Sequence, residues 1–308
     1  KQKALRTVII DAGHGMMSNG GYNGAHGTYS YEDEICIAVA LKLVAQLSKD
    51  LPEVRIVQTR PGKNIIDLHE RAQIANQAKG DLFVSIHVNA APPVSHRDFI
   101  GNKTIISYVG KGKKRKKVTR QIPQYRYYTT PNTAKGTETY IWGSHKNDDK
   151  LVAIRENAPM LAEENYSQKY GDVDPNSPEF IALSLLKTKQ FFRRSATLAG
   201  MVEEEFTKVG RTSRGQQQRT VGIWVLQATA MPSVLVETGY ITNKTEEDYL
   251  NSEDGQQEIA VCVTNAVKSY GAWLDKQQAA SSSQTSINTV DTTGTYALLK
   301  KMDAHETN

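Results

Sequence analysis

Cysteine is scarce: Cys36 and Cys262 are the two in 308 residues. Two thiols cannot build a disulfide framework, so the fold must rest on an apolar core. Each sits inside a helical apolar pattern, where a buried free thiol is the usual state, although one bridge between them stays open. No apolar run approaches the roughly 20 residues of a membrane-spanning helix. The start, Lys1-Gln2-Lys3, lacks the apolar stretch of a secretory leader, so a chain acting outside the cytoplasm would have had its leader removed. An excess of one charge is nearly lacking too. The net charge is +5, but the run Lys111-Gly112-Lys113-Lys114-Arg115-Lys116-Lys117 alone carries six positive charges, which leaves the remainder at −1. One such cluster reads as a solvated loop; a nucleic-acid footprint spreads over a face with interleaved aromatics, so no specific nucleic acid is expected.

What is present is a series of short β-branched runs that end in ionisable residues. Thr7-Val8-Ile9-Ile10-Asp11-Ala12-Gly13-His14-Gly15 is a buried-strand pattern closed by a polar turn, with glycines on both sides of a histidine. Those glycines permit a sharp turn and a close approach to the imidazole. Leu82-Phe83-Val84-Ser85-Ile86-His87 repeats the pattern, and Ser233-Val234-Leu235-Val236-Glu237 ends in a carboxylate. Val54–Thr59, Glu138–Trp142 and Gly222–Leu226 read as further strands. Helical patterns lie between them, one opening at Ser30-Tyr31-Glu32-Asp33 with Ser30 as the candidate cap, another at Asp67 with Glu70. Strands alternating with helices predict an α/β fold, a single domain around a mostly parallel twisted sheet of about six strands flanked by helices, with an insert after the third strand.

In such a sheet the strand ends share one edge, so His14, His87 and Glu237 can converge there with Glu32 from the first helix. Two imidazoles and a carboxylate with one open position describe a catalytic zinc site. A second carboxylate beside it completes the requirements of metal-assisted hydrolysis.

At these residues the chain resembles the zinc-dependent N-acetylmuramoyl-L-alanine amidases of bacterial cell walls, the amidase-3 type. Matching segments are Val8–Gly15, Tyr31–Ile35, Thr59-Arg60, Glu70–Asn76, Asp81–Ala90, Gly136–Tyr140 and Pro232–Asn243, in family order from about Thr7 to Leu274. The resemblance implies zinc (Zn2+) held by His14, Glu32 and His87, with Glu237 as the catalytic carboxylate. The reaction implied is hydrolysis of the amide joining N-acetylmuramic acid to L-alanine of the peptidoglycan stem peptide. Asp33 and Glu34 read as acids that complement the helix dipole. Asn89 and Arg71 also match the family, as substrate contacts or as supports of the site. After Gly15 the chain departs from the family pattern, with Met16, Met17 and Ser18 in place of a glycine and a nearby aspartate.

The catalytic domain is expected over residues 1–275, with an insert over 91–187. Within it, Ala91–Lys135 is basic, rich in Pro, Tyr and Thr, and without a firm period, while Leu151–Tyr166 reads as a helix. Its Arg155-Glu156-Asn157-Ala158 is similar to a segment of the division-associated members, whose inserted helix covers the metal. That likeness implies Glu156 as an inhibitory fourth ligand, with Glu163 and Glu164 as alternatives, and an activator protein that displaces the helix. Residues 276–308, rich in Ser and Thr, read as a disordered tail. The expectation is a monomer acting on peptidoglycan in the periplasm or outside the cell. Two other readings stay open: a zinc peptidase or deacetylase acting on a different amide, and a catalytically silent wall-binding protein.

Overall fold

The computed structural model describes residues 3–142, 178–219 and 223–288. In chain order the elements are β1 (Thr7–Ala12), α1 (Glu32–Asp50), β2 (Arg55–Gln58), α2 (Leu68–Gln77), β3 (Leu82–Asn89), β4 (Val94–Val109), β5 (Lys116–Thr130) and β6 (Thr137–Trp142). There follow α3 (Pro178–Lys208), β7 (Ser213–Arg219), α4 (Trp224–Ala228), β8 (Ser233–Tyr240), α5 (Lys244–Asn251) and α6 (Glu253–Asn288). Six strands form one sheet in the order β2-β1-β3-β8-β6-β7. All neighbouring pairs are parallel except β8 and β6.

The period of two along each strand sorts side chains onto two covered faces. Val8, Ile10, Leu82, Val84, Ile86, Val234 and Val236 point to one face, where α1, α3 and α6 lie. Ile9, Phe83, Leu235, Tyr140 and Trp142 point to the other, under α2 and α4. Continuing the second set toward the carboxyl ends of the strands gives Asp11, Ser85, His87 and Glu237. One face is therefore apolar in its middle and ionisable at its edge. Helix α1 presents Ile35, Val39, Leu43 and Leu47 to the first face, and α3 adds Leu198, Val202 and Phe206. The α2 start matches the sequence pattern, with the Asp67 carboxylate accepting from Glu70 N.

Several local expectations are corrected. Ser30 does not cap α1; its hydroxyl donates to Glu247 at 2.9 Å, and Tyr31 stands at the cap position without a side-chain bond. Asp33 and Glu34 stand in the first turn of α1 as expected, Asp33 buried and Glu34 exposed. Of Gly222–Leu226, read as strand from its apolar run, Trp224–Leu226 instead opens the short helix α4. A run that short carries no period to separate the two forms, and packing against α2 decides it. Residues 94–130 are ordered into two long antiparallel strands instead of an irregular stretch. They favour strand by their Ile, Val, Thr and Tyr content, but neither face is buried, so no alternation marks them. Helix α6 runs past residue 276 to Asn288; extending a helix already nucleated by packing costs little. Both cysteines are buried and neither is in a disulfide, as their helical apolar settings suggest. The Leu151–Tyr166 helix, with Glu156, Glu163 and Glu164, lies outside the described residues, as do residues 289–308.

Phe206 is fully buried between α3 and its neighbours, while Leu41 on α1 is 46 % exposed. Phe206→Ala should lower the unfolding free energy in urea by about 3–5 kcal/mol. Leu41→Ala should change it by less than about 0.5 kcal/mol.

Candidate metal centre

The turn after β1 is held from two sides by buried arginines. Arg60 donates from Nε to Ala12 O at 2.9 Å and from Nη2 to Gly13 O at 2.8 Å and Asp33 O at 3.1 Å. Arg71 donates from Nη1 to Ala12 O at 2.6 Å, from Nη2 to His14 O, and from Nε to Ile66 O at 2.8 Å. Three successive carbonyls thus find charged donors inside the protein. Both arginines are buried, at 1 % residue exposure. Asp11 completes the group: Arg71 Nη1 lies 3.1 Å from its carboxylate, and the hydroxyls of Ser85 and Thr59 donate to it. Burial works to raise the Asp11 pKa, but Arg71 and the two hydroxyls outweigh it and hold the carboxyl below its ordinary range.

His14 sits in this turn at φ 60°, a left-handed conformation that a non-glycine residue adopts at a cost of order 1–3 kcal/mol. The strain aims its imidazole at Glu32. Glu32 is fully buried at the start of α1, where its Oε2 accepts from Ala25 N at 2.7 Å and its Oε1 from Val88 N at 3.0 Å. The same Oε1 lies 3.2 Å from His14 Nε2 and 3.3 Å from His87 Nδ1. His87 comes from the far end of β3, and the two imidazoles meet edge-on with centroids 4.9 Å apart. Among the described residues, these three form a buried group whose donor atoms all lie within 4.8 Å of one another. Two neutral imidazoles and one carboxylate at that spacing suit a tetrahedral zinc ion with one position left for water or substrate.

Glycines make this density possible. A Cβ on Gly13 would stand 2.4–2.7 Å from three ring atoms of His87. One on Gly24, which has φ +94°, would lie 2.8 Å from both Glu32 Oε2 and His14 Cγ. Gly13 was legible as a device for close approach to an imidazole, though the imidazole it admits belongs to His87.

Glu237 is fully buried on β8, in direct register with His87 on the parallel strand β3. On its other side it pairs with Glu138 of β6, so His87, Glu237 and Glu138 form one row across three strands. Glu138 accepts from the hydroxyls of Tyr140 and Tyr240 and from Arg214 Nε. Burial and the Glu138 carboxylate push the Tyr240 phenol far above its usual range, so it stays a donor. Asn89 follows a register irregularity in β3; its carbonyl accepts from Ile241 N at 2.8 Å and its side chain from Ala90 N at 2.8 Å. Glu138 and Arg60 lie within the segments that resemble the family, but the sequence pattern assigns neither a role. The signal for Arg60 was a positive charge directly after a strand in an apolar context, and for Glu138 a carboxylate inside a strand.

A family model for N-acetylmuramoyl-L-alanine amidases, the amidase-3 family, matches residues 8–269. The chain belongs to this enzyme family. It is 28 % identical over 282 residues to N-acetylmuramoyl-L-alanine amidase AmiA of Escherichia coli, a match that covers 91 % of this chain and 81 % of that protein. It is 27 % identical over 265 residues to the uncharacterized protein YqiI of Bacillus subtilis, covering 86 % of this chain and 84 % of the relative. The crystal structure of an N-acetylmuramoyl-L-alanine amidase from Clostridium difficile 630 superposes with a TM-score of 0.53 at 23 % identity, over 87 % of this chain and 97 % of that one. At that identity it supports the fold alone.

Gly13→Ala should weaken zinc binding at least tenfold in competition with a chromophoric chelator, because the new methyl must displace the His87 ring. The far-ultraviolet circular dichroism should be unchanged, which separates loss of the site from loss of the fold.

Proposed function

We propose that the chain is a zinc amidase that cleaves the bond between the lactyl group of N-acetylmuramic acid and L-alanine of the stem peptide. His14, Glu32 and His87 hold the ion and Glu237 is the catalytic carboxylate. The observation that carries this reading is the convergence of the buried triad within 4.8 Å, with Glu237 in register beside His87. Bound there, zinc supplies Lewis acidity that polarises the scissile carbonyl and brings the pKa of water down to about 7. Glu237 takes the proton of the attacking water and returns it to the departing amino group of L-alanine. Glu138, hydrogen-bonded by Tyr140, Tyr240 and Arg214, is fixed in place beside it. Arg71 and Asn89, 1 % and 3 % exposed, act by positioning the His14 turn and the end of β3 rather than by touching substrate.

The catalytic unit takes in residues 1–275 with the 91–187 insert, and it works outside the cytoplasmic membrane, where peptidoglycan lies. Autoinhibition by Glu156, relieved by an activator protein and tied to cell division, is supported by the Arg155-Glu156-Asn157-Ala158 segment alone.

Digestion of purified peptidoglycan tests the reaction. The intact chain should carry one zinc and release stem peptides with a free L-alanine amino terminus. Glu237→Gln should keep the zinc and lose release by about 10²–10⁴-fold, the ordinary worth of a general base. Release undiminished by that substitution, or failure to bind zinc after reconstitution, would remove the assignment. Glu156→Ala should raise basal release severalfold at unchanged zinc content, and an unchanged rate would count against the lid.

A further inference from the structure

The row of ionisable side chains that begins at the metal centre does not stop at Glu138. Strand β7 lies beyond β6 at the edge of the sheet. Its register slips just there: Thr137 pairs with Ser213 and Thr139 with Gln216, so Arg214 and Gly215 stand together opposite Glu138. Two residues against one make a β-bulge, which turns a side chain out of the alternation of its strand. Gly215 supplies a left-handed backbone at φ +83°. The side chain so aimed is Arg214, whose Nε donates to Glu138. Across four strands the row therefore reads His87, Glu237, Glu138, Arg214.

Arg214 differs from its neighbours in the row by being open to solvent. His87, Glu237 and Glu138 are buried, whereas the Arg214 side chain is 45 % exposed. Glu138 holds it at Nε, and its guanidinium lies 5.4 Å from the centroid of the Tyr240 ring. Among the described residues nothing takes a hydrogen bond from Nη1 or Nη2. Other arginines near this edge are not open to a ligand. Arg60 and Arg71 are buried under the His14 turn, and Arg211 is paired with Glu246 at 2.9 Å with its side chain 11 % exposed. A planar fork, fixed at its base and free at its end, fits a carboxylate. Beside Glu237 and Glu138 an acidic group would otherwise meet repulsion, so it can enter here only against a cation.

The substrate of the amidase reading carries such a group. The lactyl carboxyl of N-acetylmuramic acid is consumed in the scissile amide. The free carboxylate nearest that bond is then the α-carboxyl of the second stem residue, a glutamate joined onward through its side chain. Along an extended backbone it lies about 6 Å from the scissile nitrogen. Strands are about 4.8 Å apart, which sets β6 one spacing and β7 two spacings from Glu237. A guanidinium reaching back from β7 to Glu138 stands between those two. With the scissile amide beside Glu237, the lengths match.

We infer that Arg214 determines specificity for the leaving peptide, its Nη1 and Nη2 binding the α-carboxylate of the second stem residue while Nε stays on Glu138. The inference rests on the amidase reading of the same centre and gives the bound substrate a direction. The stem peptide runs across β8 and β6 toward β7, and the sugar lies on the β1 side.

The test uses two preparations of uncrosslinked glycan strands that differ in one group. The α-carboxyl of the second stem residue is free in one and amidated in the other. The zinc-loaded full chain should release the acidic stem with kcat/KM about 10–100-fold above the amidated one, the ordinary worth of a charge-assisted hydrogen bond. Most of the difference should lie in KM, since the contact is made in ground state and transition state alike. Arg214→Gln should abolish the preference. Arg214→Lys, which keeps the charge and loses the fork, should leave an intermediate one. The ratio between substrates is the readout, because a loosened Glu138 would slow both alike and cancel. Calorimetric binding of the acidic and amidated stem tripeptides to the same chains should show the same preference without turnover. No preference in the intact chain, or a preference that survives Arg214→Gln, would overturn the inference. Release of neither stem by the intact chain would instead remove the amidase reading, and this contact with it.

Discussion

Two arginines inside the protein settle the shape of the turn on which the centre is built. Where β1 ends, the carbonyls of Ala12, Gly13 and His14 are met by side chains, and in a dry interior each would cost about 1–3 kcal/mol if left unpaired. Arg60 and Arg71 answer all three. A buried guanidinium is itself expensive, and is tolerable here because its Nε, Nη1 and Nη2 all donate to oxygens. The bonds also tie elements together. Arg60 follows β2 and reaches the main chain of α1 at Asp33, while Arg71 leaves α2 and reaches β1. A left-handed His14 is then the conformation the surroundings enforce, and the imidazole is aimed before any ion arrives.

Preorganisation extends outward from there. Glu32 is fixed by two main-chain donors, Ala25 N and Val88 N, one from the loop before α1 and one from β3. The loop is pinned in turn by Glu247 of α5, which receives Tyr29 N, Ser30 N and the Ser30 hydroxyl. Even Gly27 takes part, since a Cβ there would stand 2.2 Å from the Glu247 carboxylate. Elements far apart in sequence therefore close on one carboxylate, and the rigidity of the triad belongs to the whole edge of the sheet. That is the support a metal ligand needs if the ion is to keep one open position rather than be engulfed.

What could be read from sequence was what burial imprints on it. Buried parallel strands must be nearly all apolar, so His14, His87 and Glu237 at their ends stood out, and the topology rules placed those ends together. Where burial leaves no imprint, the reading failed. The β4–β5 ribbon buries nothing, so its residues carry strand propensity without alternation. The apolar run at Ile223–Leu226 is too short to show a period, and its helix is chosen by α2. Ser30 looked like a cap because its local spacing was right, but a carboxylate 217 residues away claims its hydroxyl. Arg60 and Glu138 were hidden for a related reason: a charge inside a core pattern announces a partner without saying which.

The molecule also divides its charge. With the ribbon at +9 and the whole chain at +5, the remaining residues together carry −4. At the metal centre the acids Asp11, Glu32, Glu138 and Glu237 sit in the interior, the first three met by arginine, hydroxyl or main-chain donors; along the ribbon the cations stand in water with almost no acid among them. Buried charge must be paired at short range to exist at all, whereas exposed charge of one sign acts over about 10 Å at ordinary ionic strength. Orientation and attraction are thus assigned to different parts of the fold. The sheet edge can be rigid because it does not need to attract anything from a distance, and the ribbon can be extended because it does not need to align a reaction.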